Sequence, residues 1–137
     1  MNSKIENLNP EVAEKAKLLI EKCKDQDIDI VITSTLRTKD EQEALYAQGR
    51  SSLFNVNELR KKAGMSPIRE YDNMNKVSWT LKSKHLSGNA FDIAVKVNGK
   101  ITYNRIDLYK QVAKIGESIG LKPGANFKTP DYPHFEI

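Results

Sequence analysis

The chain carries two histidines, and each stands near an aspartate at a spacing that suits a metal site. His85 precedes Asp92 by seven residues, and Asp131 precedes His134 by three. From Phe91 the sequence alternates. Phe91, Ile93, Val95 and Val97 point one way, Asp92, Ala94 and Lys96 the other, which is the period of a half-buried strand. Residues 132–137 alternate too, with Phe135 and Ile137 inward and His134 and Glu136 outward. If the two strands share a sheet, Asp92 and His134 project from one face. Seven residues of straight helix span roughly 10 Å, too far for ligands that each sit about 2 Å from one ion. The chain from His85 to Asp92 must therefore fold back, and Ser87-Gly88-Asn89 supplies the turn, with Gly88 free to take positive φ. Two imidazoles and one carboxylate leave a fourth position for water, the pattern of a catalytic zinc site.

Hydrolysis at such a site needs a second carboxylate that does not ligate. Asp131 is placed to take a proton from the attacking water and pass it to a leaving amine. Arg37 falls where a strand meets a helix, and a cation there would stabilise an oxyanion or anchor a substrate carboxylate. On the residues alone, other readings stay open: two structural histidines, an exposed Asp92, a surface Arg37. The helix-borne zinc-protease motif is absent. A serine hydrolase would have to use Ser83 or Ser87, without a nucleophile elbow.

The elements that must position these groups follow from local signals. Asn9-Pro10 opens a helix with the stripe Val12, Ala16, Leu19, Ile20, Cys23, ending near Lys24. Ile28, Ile30 and Ile32 alternate as a strand. Thr38-Lys39-Asp40-Glu41 is a capping box for a helix to about Gln48, stopped by Gly49. Residues 51–75 are weakly patterned, with a short helix possible from Val56 to Ala63. Met74 to Lys82 reads as a strand through Val77, Trp79 and Leu81. Asn98-Gly99 is a hairpin signal, returning through Lys100–Tyr103. A helix from about Ile106 carries Leu108, Val112, Ile115 and Ile119 and stops at Gly120. The expected class is α+β: one compact domain over residues 1–137, with residues 1–8 frayed. A central antiparallel sheet carries the zinc site on one face, with about three main helices.

Composition sets the bounds. The chain has 137 residues, 39% hydrophobic and 29% charged, enough for one core. Cys23 is the only cysteine, which excludes an internal disulfide, and its place on a helix stripe predicts a buried, inert thiol. The net charge of +4 is a mild basic bias with no nucleic-acid motif. No apolar run is long enough for a membrane span, and the amino terminus shows no secretory signal. The expectation is synthesis in a cytoplasm, with release by other means if the protein acts outside.

The motifs together resemble a known family. Ser83-x-His85-x-x-Gly88-x-Ala90-x-Asp92, with Asp131-x-x-His134 far downstream, is similar to the zinc D,D-carboxypeptidases and L-alanyl-D-glutamate endopeptidases. That family includes vancomycin-resistance-type peptidases and phage endolysins. Ser34-Thr35-Leu36-Arg37-Thr38 and Glu41–Arg50 resemble its arginine-bearing segment. Pro130–Glu136 resembles the endolysin form of its closing motif. The resemblance implies one zinc per chain on His85, Asp92 and His134, with Asp131 as acid/base and Arg37 on substrate or oxyanion. Ser83 is then a supporting polar residue. It further implies a monomer acting on peptidoglycan stem peptides, an endolysin made in the host bacterium and acting on the wall after release, without a separate wall-binding domain. Asp131, where the D,D-dipeptidase branch has Glu, favours cleavage between L-Ala and D-Glu. The alternatives are a D-Ala-D-Ala carboxypeptidase and a non-catalytic wall-binding module. Gly124-Ala125-Asn126-Phe127 stands where relatives often have Gly-Gly-x-Trp.

Overall fold

The computed structural model describes all residues except Met1, Asn2, Trp79, Thr80, Lys82 and Ser83. Helix α1, Pro10–Asp25, starts on a proline whose fixed φ suits the first turn, and it buries Val12, Ala13, Ala16, Leu19 and Cys23. Strand β1 spans Asp29–Ser34. Helix α2, Lys39–Ala47, has the expected capping box, with Thr38 and Glu41 each accepting the other's backbone N–H. Helix α3, Leu53–Lys62, is capped by Ser52 and makes a fourth helix beside the three expected. Strand β2 covers Ala90–Val97, β3 Lys100–Thr102, helix α4 Ile106–Ser118, β4 Lys122–Pro123 and β5 His134–Glu136. All strand pairs are antiparallel, so the α+β class holds.

β2 is the spine. β1 lies along one side of it, β5 and β3 meet it end to end on the other, and β4 pairs with β5. The β2–β3 turn uses Asn98 at φ 53 and Gly99 at φ 78, both left-handed, as a two-residue hairpin requires. Phe91, Ile93, Val95 and Phe135 join Leu19, Val12, Val112 and Tyr109 in one core between the sheet and helices α1 and α4. The Phe91 and Phe135 rings stack with centroids 5.7 Å apart. Tyr109 is buried because its hydroxyl is satisfied: it donates to the Thr102 carbonyl at 2.7 Å and accepts from Val95 N–H at 3.1 Å. Cys23 is fully buried, and burial pushes its thiol up to about 11.

Three expectations need correction. The chain is not frayed up to residue 8: Ile5–Asn7 forms a 3-10 turn and Leu8 is in the core. Asn9 does not cap α1 with its side chain, which instead donates to the Asn89 side chain next to the site. The strand read over Met74–Lys82 is absent among the described residues, where Asp72–Met74 is a 3-10 turn and residues 75–78 are irregular. Trp79 lies outside the described residues. The described part of this stretch pairs with no strand, and pairing is what makes a strand.

Candidate active site

Sheet register brings the first two site residues together. Asp92 pairs directly with His134 across β2 and β5, so both side chains rise from the face away from the aromatic core. His85 reaches them by the fold-back its spacing demands. Lys84–Ser87 is a 3-10 turn, Gly88 sits at φ +75, and Asn89 N–H closes the turn on the Lys84 carbonyl at 3.1 Å. Asn9 N–H donates to the Gly88 carbonyl at 3.1 Å, tying the turn to the start of α1. Arg37 N–H donates to the His85 carbonyl at 3.0 Å.

The ligand-capable atoms of His85, Asp92 and His134 all lie within 4.8 Å of one another. Their protonation is set by their other contacts. His85 Nδ1 faces the Thr35 carbonyl at 2.8 Å, which can only accept, so Nδ1 carries the proton and Nε2 presents its lone pair. His134 Nε2 faces the Glu136 carboxylate at 2.8 Å, so Nδ1 is left with the lone pair. Both lone pairs point at the same oxygen: His85 Nε2 and His134 Nδ1 each lie 3.2 Å from Asp92 Oδ1. Three electron-rich atoms converging without hydrogens between them repel, unless a proton or a cation sits among them. The donor set therefore fits a divalent metal bound by two nitrogens and a carboxylate.

With no cation there, a proton shared with Asp92 takes its place. Burial would push the Asp92 carboxyl up, but hydrogen bonds and charge from His134 and His85 outweigh it and hold it well below the usual range. Burial would lower His134, but Asp92, Glu136 and Asp131 raise it. Asp131 moves up, because burial and the neighbouring Asp92 charge outweigh the pull of His134, His85 and Arg37. Arg37 is lowered by burial against Asp92, Glu41 and Asp131.

Asp131 and Arg37 line the same cleft as the three candidate ligands, a space of about 510 Å³ also bordered by Ser78, Tyr103, Phe127 and Glu136. A short irregular loop delivers Asp131. Its N–H donates to the Gly124 carbonyl at 2.9 Å, and its carbonyl accepts from His134 N–H at 3.1 Å. A Cβ at Gly124 would collide with the Asp131 carbonyl and His134 Cβ, so glycine is required there. Phe127 replaces the expected tryptophan and places its ring 5.5 Å from that of His134. Arg37 Nη2 lies 3.8 Å from Asp92 Oδ2, and Nη1 donates to Gln42 Oε1 at 2.8 Å. Gln42 in turn donates to Ser78 Oγ at 2.8 Å. Arg37 Nε is buried without a hydrogen-bond partner among the described residues.

The cleft thus gathers His85, Asp92, Asp131, His134 and Arg37; Ser83 lies outside the described residues. Sequence reasoning did not give Glu136, Lys84 or Gln42 a role. Glu136 had a signal, since it sits two residues after His134 on the same strand face. The Thr35 contact has none, because its acceptor is backbone.

The family described as D-alanyl-D-alanine carboxypeptidase matches residues 76–137, a span that holds His85, Asp92, Asp131 and His134. Over that span the chain is similar to the family. CwlK of Bacillus subtilis (strain 168), a peptidoglycan L-alanyl-D-glutamate endopeptidase, is 28% identical over 141 residues, covering 96% of this chain and 74% of its own. Among solved structures, the L-Ala D-Glu endopeptidase ChiX of Serratia marcescens superposes with a TM-score of 0.64 at 19% identity, covering 97% of this chain and 82% of its own. The vancomycin-resistance D,D-pentapeptidase VanY, solved as a mutant with Zn(II), gives 0.58 at 12% identity, with 94% and 71% covered. At these identities the superpositions speak for the fold. The family resemblance read from the motifs is borne out, and with it the expectation of a metallopeptidase-type enzyme. Among the described residues, no helix is long and apolar enough to cross a membrane.

Proposed function

We propose that the protein is a zinc-dependent peptidase that cuts peptidoglycan stem peptides between L-Ala and D-Glu, one zinc per chain, held by His85, Asp92 and His134. The observation that carries this reading is the convergence of two imidazole lone pairs and a carboxylate oxygen, with Asp131 and Arg37 in the same cleft. A bound zinc ion supplies Lewis acidity and an acidified water. Asp131 takes the water's proton and hands it to the leaving amine, a task suited to a carboxyl raised above its ordinary range. Arg37, with its buried Nε unpartnered and a guanidinium only loosely engaged by Asp92, receives a substrate carboxylate or the developing oxyanion.

The bond assignment is supported by the likeness to CwlK and by aspartate at position 131. We place the protein among phage or prophage endolysins on the motif Pro130–Glu136. Ser83 belongs to this reading as a supporting polar residue. A second reading, D-Ala-D-Ala carboxypeptidase, is favoured by the description of the matching family. Mass spectrometry of digested muropeptides, with and without chelator, decides between them. New L-Ala and D-Glu ends that vanish on chelation are the expected result. Released D-Ala would select the second reading, and chelator-resistant cleavage would remove zinc from the reaction.

A further inference from the structure

The alternation of β5 puts His134 and Glu136 on one face, two residues apart. Glu136 Oε1 lies 2.8 Å from His134 Nε2, and its other oxygen, Oε2, lies 2.8 Å from Lys84 Nζ. Lys84 also donates to the Ile137 carbonyl at 2.6 Å, and it immediately precedes His85. One continuous brace thus runs from the turn that carries the first histidine to the strand that carries the second. All of its side chains border the cleft, yet the peptidase chemistry assigns a role to neither Glu136 nor Lys84.

We propose that Glu136, held in place by Lys84, is a positioning residue for the metal: it locks the His134 ring so that Nδ1 faces the metal. The inference rests on the zinc reading above. Without an acceptor at Nε2 the ring is free to rotate about its Cβ–Cγ bond and Nδ1 no longer has a fixed direction. A carboxylate on the far nitrogen also makes the imidazole a more basic ligand. Lys84 keeps Glu136 from turning toward solvent, and at the same time ties β5 to the His85 turn. The two metal histidines are thereby positioned relative to each other as well as to Asp92.

The test is zinc affinity, by competition with a chromophoric chelator, in wild-type protein, Glu136→Ala, Glu136→Gln and Lys84→Met. Outer-shell partners of metal histidines are worth about 10–100-fold in affinity. Glu136→Ala is expected to lose about that much. Glu136→Gln, which keeps an acceptor oxygen, recovers most of it, and Lys84→Met loses less than Glu136→Ala. In metal-free protein, the His134 Nε2–H resonance is expected to be protected from solvent exchange in wild type and lost in Glu136→Ala. Wild-type affinity in Glu136→Ala overturns this inference and leaves the zinc reading standing. An affinity loss in Glu136→Ala that matches a fall in Tm and is not recovered by glutamine also overturns it, by making the role structural. A wild-type protein that binds no zinc overturns the zinc reading first, and this inference with it.

Discussion

The two walls of the cleft are built on different principles. One is the sheet, where Asp92 and His134 sit on paired strands and an aromatic core backs them. The other is reached through Val77 and Ser78, which border the cleft at the end of the stretch from Gln48 to Ser78, a segment with one helix, one 3-10 turn and otherwise irregular chain. Its fastenings are side chains bound to backbone. Gln48 donates to the Asp72 carbonyl at 2.9 Å, and Asn73 accepts from Gly49 N–H and donates to the Ser51 carbonyl, both at 2.9 Å. Asn57 pairs with the Ile68 backbone through both of its amide atoms, and Arg50 donates to the Ser78 carbonyl at 2.8 Å. Phe54, Tyr71 and Met74 on this wall are largely exposed. The sheet wall is thus held by strand pairing and a packed core. The other is held by side-chain-to-backbone bonds, apart from the residues that could hold a metal.

The sharpest break in that comparison is Asp92→Ala. It removes the oxygen on which both histidines converge, so zinc content and hydrolysis should both be lost, as read by metal analysis and muropeptide release. Asp131→Asn separates chemistry from metal binding. Zinc content should stay at the wild-type level while the rate drops about 10²–10⁴-fold, the usual size of a general-base contribution. A mutant that hydrolyses at the wild-type rate would take Asp131 out of the mechanism.

The same division decided what could be read from the sequence. Period-two alternation around Asp92 and His134 is a local record of a sheet with one buried face, so both strands and the face their two side chains share were legible. The capping box of α2 and the Asn98-Gly99 hairpin are local too. Asn9 was misread because its partner, Asn89, is distant in sequence. Apart from the short helix read over Val56–Ala63, the stretch from Gln48 to Ser78 was illegible for that reason: an asparagine bridging to a backbone group 22 residues away leaves no period behind. Val77 looked like part of a strand on apolar alternation alone, yet Met74, Asn75, Lys76 and Val77 are all exposed, so the pattern records no buried face there.

Stability should divide along the same line. Phe135 is fully buried against Phe91 and lies so close to Gly116 that a Cβ there would collide with its ring. Phe135→Ala should cost about 3–5 kcal/mol in denaturant unfolding and weaken zinc binding through the adjacent His134. The pH dependence of zinc binding should also belong to the sheet wall. His134 is raised in the metal-free fold, so below that point it holds a proton that zinc must displace. Asp92 is depressed and stays ionised through the same range. Affinity should therefore level off above the raised His134 value and fall about tenfold per pH unit below it. Titration calorimetry in buffers of different ionisation enthalpy should count about one proton released there. No released proton would mean that His134 is already neutral.

The smallest effect expected is the most informative about the second wall. Asn73→Ala removes two side-chain-to-backbone bonds at once and leaves the Gly49 N–H and the Ser51 carbonyl without them. Unsatisfied backbone groups cost about 1–3 kcal/mol, so a loss in that range is expected. Because Gly49 sits against residues 75 and 76 so tightly that no Cβ fits, loosening Asn73 should free that crossing first. Hydrogen exchange should accelerate across residues 48–78 and stay at the wild-type rate in β2 and β5, with zinc affinity unchanged. KM for stem peptides should rise more than kcat falls, since the variant alters a wall of the groove and leaves the reacting groups in place. Faster exchange in β5 as well would show that the two walls unfold as one unit, and the division drawn between them would not survive.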